Sequence, residues 1–406
     1  MNIDLALMQK KALFTTLFVI LTVSVVAYGF ILYGKGYRLN LHGDGNKILA
    51  GTGLLVLTST PNGAKVYIDD NLTTATDDTI NLPPGEYDVK IEKDGYYPWK
   101  KHVLLKEEAV TKTDAVLFPV APKLEATTLT GAVNPVVDPS GGLIGYKVSS
   151  SSADNNGIYV FNLGNRFIPF GASARQIATD KFDSFSTSSF EFSPDGREML
   201  STISDARSER IYLLKTDAMN TEPQNVTLTV EQIRKQWTVT QQQLDEKFAT
   251  TLPVPSRKFI LDNFSKRKLS PEGDKIFYVA SQSATMPNFI NPALPSTNST
   301  KETRDIKAGS AYVYQIKEDK NYLLYQPLEG EILPDFVWHP SSAHMVFIQN
   351  KRIFSLEYDG GNKTTLYAGP FDPSFLYTWP DGSGLIILTN FNDETVPGNL
   401  YKVGLR

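Results

Sequence analysis

Phe192-Ser193-Pro194-Asp195-Gly196 runs into an apolar stretch, Met199–Ile203, and then into Ile211-Tyr212-Leu213-Leu214. Proline presets the backbone for a turn and Asp-Gly supplies a tight reversal, so the segment predicts strand, turn, strand, strand. The frame recurs at Val137-Asp138-Pro139-Ser140-Gly141, Leu269-Ser270-Pro271-Glu272-Gly273, Trp338-His339-Pro340-Ser341-Ser342 and Trp379-Pro380-Asp381-Gly382. The last copy lacks the residue between the aromatic and the proline. Each copy leads to an apolar run (143–148, 276–280, 345–348, 385–389) and then to a second one (158–161, 312–315, 353–356, 400–403). The prolines at 139, 194, 271, 340 and 380 are 55, 77, 69 and 40 residues apart. About 40 residues is one bare propeller blade, so the longer intervals hold insertions. Five copies predict five blades, or six if residues 165–190 hold a degenerate copy. The third run of the last copy ends near Arg406, and a strand-like stretch, Leu124–Thr130, precedes the first copy. Together they predict a blade shared by both ends, which closes the ring and removes exposed edges.

The composition agrees with a mainly β protein. Tyr 19, Phe 22, Gly 28 and Pro 24 suit short strands joined by tight turns. The net charge of −4 provides no basic field, so sequence-independent nucleic-acid binding is disfavoured. With no Cys, thiolate metal sites, disulfides and cysteine nucleophiles are excluded. Only 4 His are present, too few for a histidine-rich metal centre.

The N-terminus reads differently. Ala12–Gly34 carries no charge, is long enough to cross a bilayer, and ends with Tyr28 and Tyr33 at belt positions. A signal peptide would have a shorter apolar core and an Ala-x-Ala-like cleavage site, and this run has neither. The expectation is a single-pass anchor at 12–34, with a cytoplasmic tail at 1–11 and a stalk at 35–50. Flanking charges nearly balance; one span followed by a long folded body favours N-inside with that body exported. Gly43-Asp44-Gly45-Asn46 reads as a turn, since it lacks the Gly-Lys-Ser/Thr ending of a phosphate loop.

Residues 51–119 alternate with period two, Leu54, Val56 and Thr58 sharing one face, and are punctuated by Pro61-Asn62-Gly63 and Leu82-Pro83-Pro84-Gly85. Six or seven short strands predict a small β-sandwich. The run Ser59-Thr60-Pro61-Asn62-Gly63-Ala64-Lys65-Val66-Tyr67-Ile68-Asp69, then Pro84-Gly85-Glu86-Tyr87, then Lys93-Asp94-Gly95-Tyr96, resembles a PEGA domain. Asn62 departs from the Pro-Glu-Gly-Ala turn that names the family. The resemblance implies a surface-exposed module of bacterial envelope proteins and carries over no catalytic residue. The Ser-Pro-Asp-Gly turns resemble TolB-like and WD-type propeller repeats. Lys258–Ala280 and Thr300–Gly309 with Tyr312-Val313-Tyr314 resemble bacterial membrane-anchored proteins that join a PEGA domain to a C-terminal propeller.

That propeller is expected over 120–406, with insertions at 217–262 and 281–309. Thr229–Leu252 spaces Val230, Ile233, Trp237, Leu244 and Phe248 like a helix, with Thr229 as N-cap and Pro253 and Pro255 ending it. Ser281–Gly309 is Ser/Thr/Asn/Pro-rich and reads as a loop. Insertions on a rigid disc are where binding surfaces are expected, so Trp237, Phe289 and Tyr322 are the candidate exposed contact residues. Trp237 has a competing role as a packing residue.

Catalytic candidates are scarce. His339 and His344 would need a third ligand to hold a metal, and a turn position already accounts for His339. No Gly-x-Ser-x-Gly elbow occurs. Asp69-Asp70 and Asp77-Asp78 lack the spaced oxygen ligands of a calcium loop and read as hairpin ends. The expectation is therefore a non-enzymatic envelope protein, without catalytic residue, metal or cofactor. Its anchor binds the membrane, and its body binds or scaffolds a protein or glycan partner. A propeller hydrolase acting on envelope polysaccharide or peptide is the alternative; convergent carboxylates or a Ser–His pair in a central pocket would mark it.

Overall fold

The computed structural model describes residues 2–34, 37–39, 49–149, 152–163, 174–206, 208–294, 298 and 300–406. The chain divides into two compact units, one over Met1–Leu117 and one over Phe118–Arg406 apart from a few residues near 296–300. The Gly43–Asn46 turn and most of the stalk lie outside the described residues.

The first unit opens with helix α1, Asn2–Gly34. Its stretch Phe14–Gly34 has a mean hydropathy of 2.2 and is not buried, so it is long and apolar enough to cross a membrane. The hydroxyl of Thr22 donates to the carbonyl of Phe18 at 2.8 Å, which satisfies that polar atom within the helix itself. Two sheets follow. One orders Asp78–Leu82, Gly53–Thr60 and Val110–Val116; the other orders Asn71–Ala75, Lys65–Ile68, Gly85–Glu92 and Trp99–Leu105. Leu55, Leu57, Val66, Val89, Ile91, Trp99 and Val103 share one core. Leu54, Val56 and Thr58 do share a face, but it is the half-exposed one; the even–odd alternation runs with Leu55 and Leu57 inward. Asp69 and Asp70, at φ +49° and +62°, form the two-residue hairpin turn expected of them.

Among its described residues the second unit holds five four-stranded antiparallel sheets. Sheet I holds Val133–Val137, Leu143–Val148, Gly157–Asn162 and Ala174–Thr179; sheet II holds Ser189–Phe192, Glu198–Ser204, Glu209–Lys215 and Gln224–Asn225. Sheet III holds Phe264–Leu269, Lys275–Ala280, Ala311–Gln315 and Lys320–Tyr325. Sheet IV holds Phe336–Trp338, His344–Gln349, Arg352–Glu357 and Thr364–Tyr367. Sheet V takes Asp372–Thr378, Gly384–Thr389 and Asn399–Gly404 from the end of the chain. Its fourth strand, Leu124–Ala126, comes from before sheet I and pairs antiparallel with Asn399–Gly404. That is the pairing of chain ends read from the sequence. Among the described residues, 165–190 contain no further sheet. They supply the last strand of sheet I, a short 3-10 turn at Phe185–Thr187 and the start of sheet II.

The repeated turn has one hydrogen-bond plan in all five sheets. The backbone N–H at the first position donates to the carbonyl five residues on: Asp138 to Leu143, Ser193 to Glu198, Ser270 to Lys275, His339 to His344 and Trp379 to Gly384. The N–H three residues on donates back to the first carbonyl. That fourth position is left-handed in every copy, at Gly141, Gly196, Gly273, Ser342 and Gly382. The plan also corrects the register of the fifth copy. No residue is missing there; Trp379 occupies the position held elsewhere by Ser, Asp or His.

Neighbouring sheets share cores. Sheets I and V meet through Ile144, Tyr146, Phe161, Phe375, Ile386 and Leu400, and sheets I and II through Ile158, Val160, Met199 and Leu214. Sheets III and IV meet through Phe277, Val313, Phe336, Trp338 and Phe347. The Thr378 hydroxyl donates to the Trp338 carbonyl at 3.0 Å across sheets IV and V.

Helix α2 spans Val230–Thr251, as its periodicity predicts; Thr229 precedes it, but its hydroxyl makes no capping bond and donates instead to the Val226 carbonyl at 3.4 Å. Pro253 and Pro255 end it but also begin a second helix, α3, Val254–Asn263, because proline fits the first turn of a helix, where its N–H is not needed. The N-terminal part of α2 packs Val230, Ile233 and Trp237 on sheet II. Its C-terminal part brings Phe248 and Leu252 to the core of sheet III.

Candidate functional site

The first strands of sheets I, III, IV and V surround a cavity of about 1640 Å³. Its wall is rich in proline, with Pro135, Pro271, Pro334, Pro340, Pro373 and Pro380 among the lining residues. Pro135 and Pro373 stand on the first strands of sheets I and V themselves, where proline withholds an N–H donor, so those two inner edges are poor templates for further strand pairing. Trp338 and Phe375 give the wall buried aromatic surface. The Trp338 indole N–H donates to the Lys268 carbonyl at 2.9 Å, and the Tyr377 hydroxyl donates to the Gly141 carbonyl at 3.1 Å. Ile332 lines the cavity while 88% exposed.

Five charged residues line the cavity, three of them carboxylates, and each carboxylate has a structural partner. Asp138 accepts from the Leu143 N–H at 2.6 Å and from the Ser140 N–H at 3.0 Å, holding its turn. Glu331 accepts from the Tyr325 hydroxyl and from the Leu328 N–H at 3.0 Å. The Tyr325 bond holds the Glu331 carboxyl below its usual range, while burial and the adjacent carboxylate push Tyr325 up to about 12. Asp335 pairs with the Lys268 ammonium at 2.7 Å, and that ammonium also donates to the Phe336 carbonyl at 2.8 Å. The Arg267 guanidinium lies over the Phe248 ring of α2 at 5.5 Å, a cation–π contact that joins the helix to the cavity wall.

The expected contact residues are not brought together. The Trp237 indole N–H donates to the Glu198 carboxylate at 3.3 Å, and the ring packs on sheet II with Ile233. Phe289 is half-buried in the insertion and packs near Phe259 and Tyr314. Tyr322 corrects the expectation of exposure: it is 1% exposed and stands on the last strand of sheet III, not in an insertion. Its ring packs edge-on against Tyr358, which follows the third strand of sheet IV, at 5.7 Å, while the 281–309 insertion is bonded to the neighbouring Asn321 and Asp319. Thr303 donates to the Asn321 carbonyl at 2.8 Å, the Asn321 amide donates to the Thr303 carbonyl at 2.8 Å, and Arg304 pairs with Asp319 at 3.1 Å. Asp319 in turn accepts from the N–H groups of Phe289 and Ile290. The insertion also carries a two-residue ladder, Ala284–Thr285 with Asp305–Ile306. The cavity itself gave no sequence signal beyond the proline-bearing inner strands, because it is assembled from residues up to about 245 positions apart.

A Ser–His contact does occur: the His339 Nδ1 lies 2.9 Å from the Ser341 Oγ. His339 is 2% exposed and sits in the repeated turn, where Ser193 and Ser270 cap the same backbone. Neither His339 nor Ser341 lines the cavity. Its Nε2 lies 3.2 Å from the Gly382 carbonyl. His102 is on the other unit, 2.9 Å from Asp88, and His42 lies outside the described residues. No group of three metal-ligating side chains occurs among the described residues.

Residues 52–120 match the family model of the PEGA domain. No curated protein matches the chain in sequence. Among solved structures, TolB from Acinetobacter baumannii is similar at 13% identity and a TM-score of 0.23, over 78% of this chain and 59% of that one. The chain thus spans about three fifths of the length of that protein. A protein assigned as TolB from Agrobacterium tumefaciens is similar at 15% identity and a TM-score of 0.21, over 73% of this chain and 75% of that one. A hydrazine synthase of Kuenenia stuttgartiensis is similar at 10% identity and a TM-score of 0.21, over 91% and 100%. At TM-scores of this size nothing about ligand or activity passes from them to this chain.

Proposed function

We propose that this chain is a membrane-tethered, non-catalytic binding module of the cell envelope. Helix α1 anchors it N-inside, the PEGA sandwich spaces the exported body, and a five-bladed propeller offers its central cavity to a protein partner. The observation that carries the binding role is the cavity. It is large, proline-walled and rimmed by Ile332, and its carboxylates are each committed to a turn, a tyrosine or a lysine. Carboxylates held in this way support a recognition role for the cavity wall.

The absence of native Cys makes the test clean, because any introduced thiol is the only one. Leu228 is 99% exposed. Leu228→Cys in whole cells, with any outer membrane permeabilised, is expected to react with a membrane-impermeant maleimide before lysis. Labelling only after lysis overturns the exported topology. A photo-crosslinker at Ile332 is expected to give discrete protein adducts in situ that are absent when it is placed at Leu228. Identical adduct patterns from both positions, or none from Ile332, overturn the cavity as the binding face.

A further inference from the structure

His339 ties three separate pieces of the second unit together. Its imidazole is 2% exposed, with Nδ1 at 2.9 Å from the Ser341 hydroxyl in its own turn and Nε2 at 3.2 Å from the Gly382 carbonyl in the turn of sheet V. Phe118, at the start of the unit and itself buried, packs edge-on against His339 at 6.1 Å and against His344 at 5.3 Å. The two imidazoles stand 6.2 Å apart. The Nε2–H donates to Gly382, so Nδ1 is the acceptor for Ser341. A proton on Nδ1 would face the Ser341 N–H, which lies 3.3 Å away, and would remove that acceptor.

The charged surroundings disfavour such a proton. His344 and Arg406 repel it, and only Asp381 attracts it; Asp381 already accepts from the Ser383 N–H at 2.7 Å. On the far side Glu357 stands opposite His344 in the strand register, and its carboxylate accepts from the Asn362 amide. Burial, then His344, hold the His339 imidazole down to about 4. The sign follows. The folded state keeps His339 neutral, whereas an unfolded histidine takes up its proton near about pH 6.5. The contribution is complete above that value and is lost progressively as pH falls toward the folded value.

We propose that His339 is an acid-sensitive latch: neutral, it clamps the turns of sheets IV and V and seats Phe118; acidification loosens that junction and frees the segment Phe118–Lys123. At this position of the other turns Ser193, Ser270 and Trp379 carry no titratable side chain and Asp138 carries a carboxylate, so the imidazole belongs to one junction of the five.

The test is hydrogen–deuterium exchange on the full chain in detergent micelles, corrected for intrinsic exchange, at about pH 7.5 and about pH 5, either side of the free-histidine value. The protected amides of the junction are those of Ser342 and Gly382, which donate to the His339 and Trp379 carbonyls, and of Gly404, which donates to the Lys123 carbonyl; their protection in the wild type is expected to fall at least about tenfold, the factor that one pKa unit represents. His339→Ser, which restores the residue of the sibling turns, is expected to show no such pH dependence, whatever its baseline. A pH-independent wild type, or a His339→Ser chain that loosens as much as the wild type, overturns the latch. Should His339→Ser fail to fold, the native imidazole titration decides by NMR: a midpoint near the free-histidine value overturns it.

Discussion

Gly196 shows how tightly one residue of the repeated turn is specified. Its φ is +73°, and a Cβ there would stand 2.5 Å from the Asp138 Oδ2 of the neighbouring turn. Asp138 cannot swing away without giving up the hydrogen bonds from Ser140 and Leu143. Gly196→Ala is therefore expected to destabilise the second unit by about 1–3 kcal/mol, combining left-handed strain with a clash. The midpoint of a denaturant titration measures it; an unchanged midpoint would show that the two turns are not in firm contact. At this scale the sequence was informative where chemistry repeats. Pro-x-Gly marked four of the five turns, and Pro340-Ser341-Ser342 the other, because only a few residues tolerate these dihedrals. Tyr322 was misread because it was assigned to an insertion, whereas it stands on the last strand of sheet III with its ring against Tyr358 beside sheet IV.

Helix α2 bears on the candidate contact residues at the scale of an element. Its burial is confined to one stripe, and only Val230 is fully buried, so its attachment depends on Ile233, Trp237, Phe248 and the Arg234–Glu191 pair at 3.3 Å. Trp237→Ala should cost about 2 kcal/mol, roughly half of what a fully buried tryptophan costs. Circular dichroism and thermal unfolding check it. A variant as stable as the wild type that no longer captures a partner would reassign Trp237 from packing to contact. The helix was legible from its 3.6-residue spacing. Helix α3 was not, since proline reads equally as the end of one helix and the first turn of the next, and only the packing of Ile260 into the core of sheet III with Phe264 and Tyr278 decides between them. The cavity was likewise hidden: its polar groups are spent locally, so no motif marks them.

The whole second unit depends on a pairing between its two ends. Leu124–Ala126 pairs with Asn399–Gly404, the Leu400 carbonyl accepts from the N–H groups of Thr127 and Thr128, and the Thr128 hydroxyl donates to Asn399 across 271 positions. Leu400 and Val403 are fully buried, and Leu400 belongs to the core that sheets I and V share. A loop of that length closes at an entropic cost that grows only slowly with length, so one well-packed strand can offset it. Removing residues 399–406 takes away the third strand of sheet V, leaves Leu124–Ala126 without its partner and uncovers Ile144, Ile386 and Phe375. The expected result is loss of cooperative unfolding throughout the second unit. Leu400→Ala, a milder cut at the same place, should cost about 2–5 kcal/mol with cooperativity retained. Chemical denaturation followed by tryptophan fluorescence separates the cases, because Trp338 and Trp379 lie in sheet IV and in the turn of sheet V. If the truncated chain unfolds in one transition at the wild-type midpoint, the pairing of the ends contributes nothing to stability, and each sheet would have to be held by its neighbours alone.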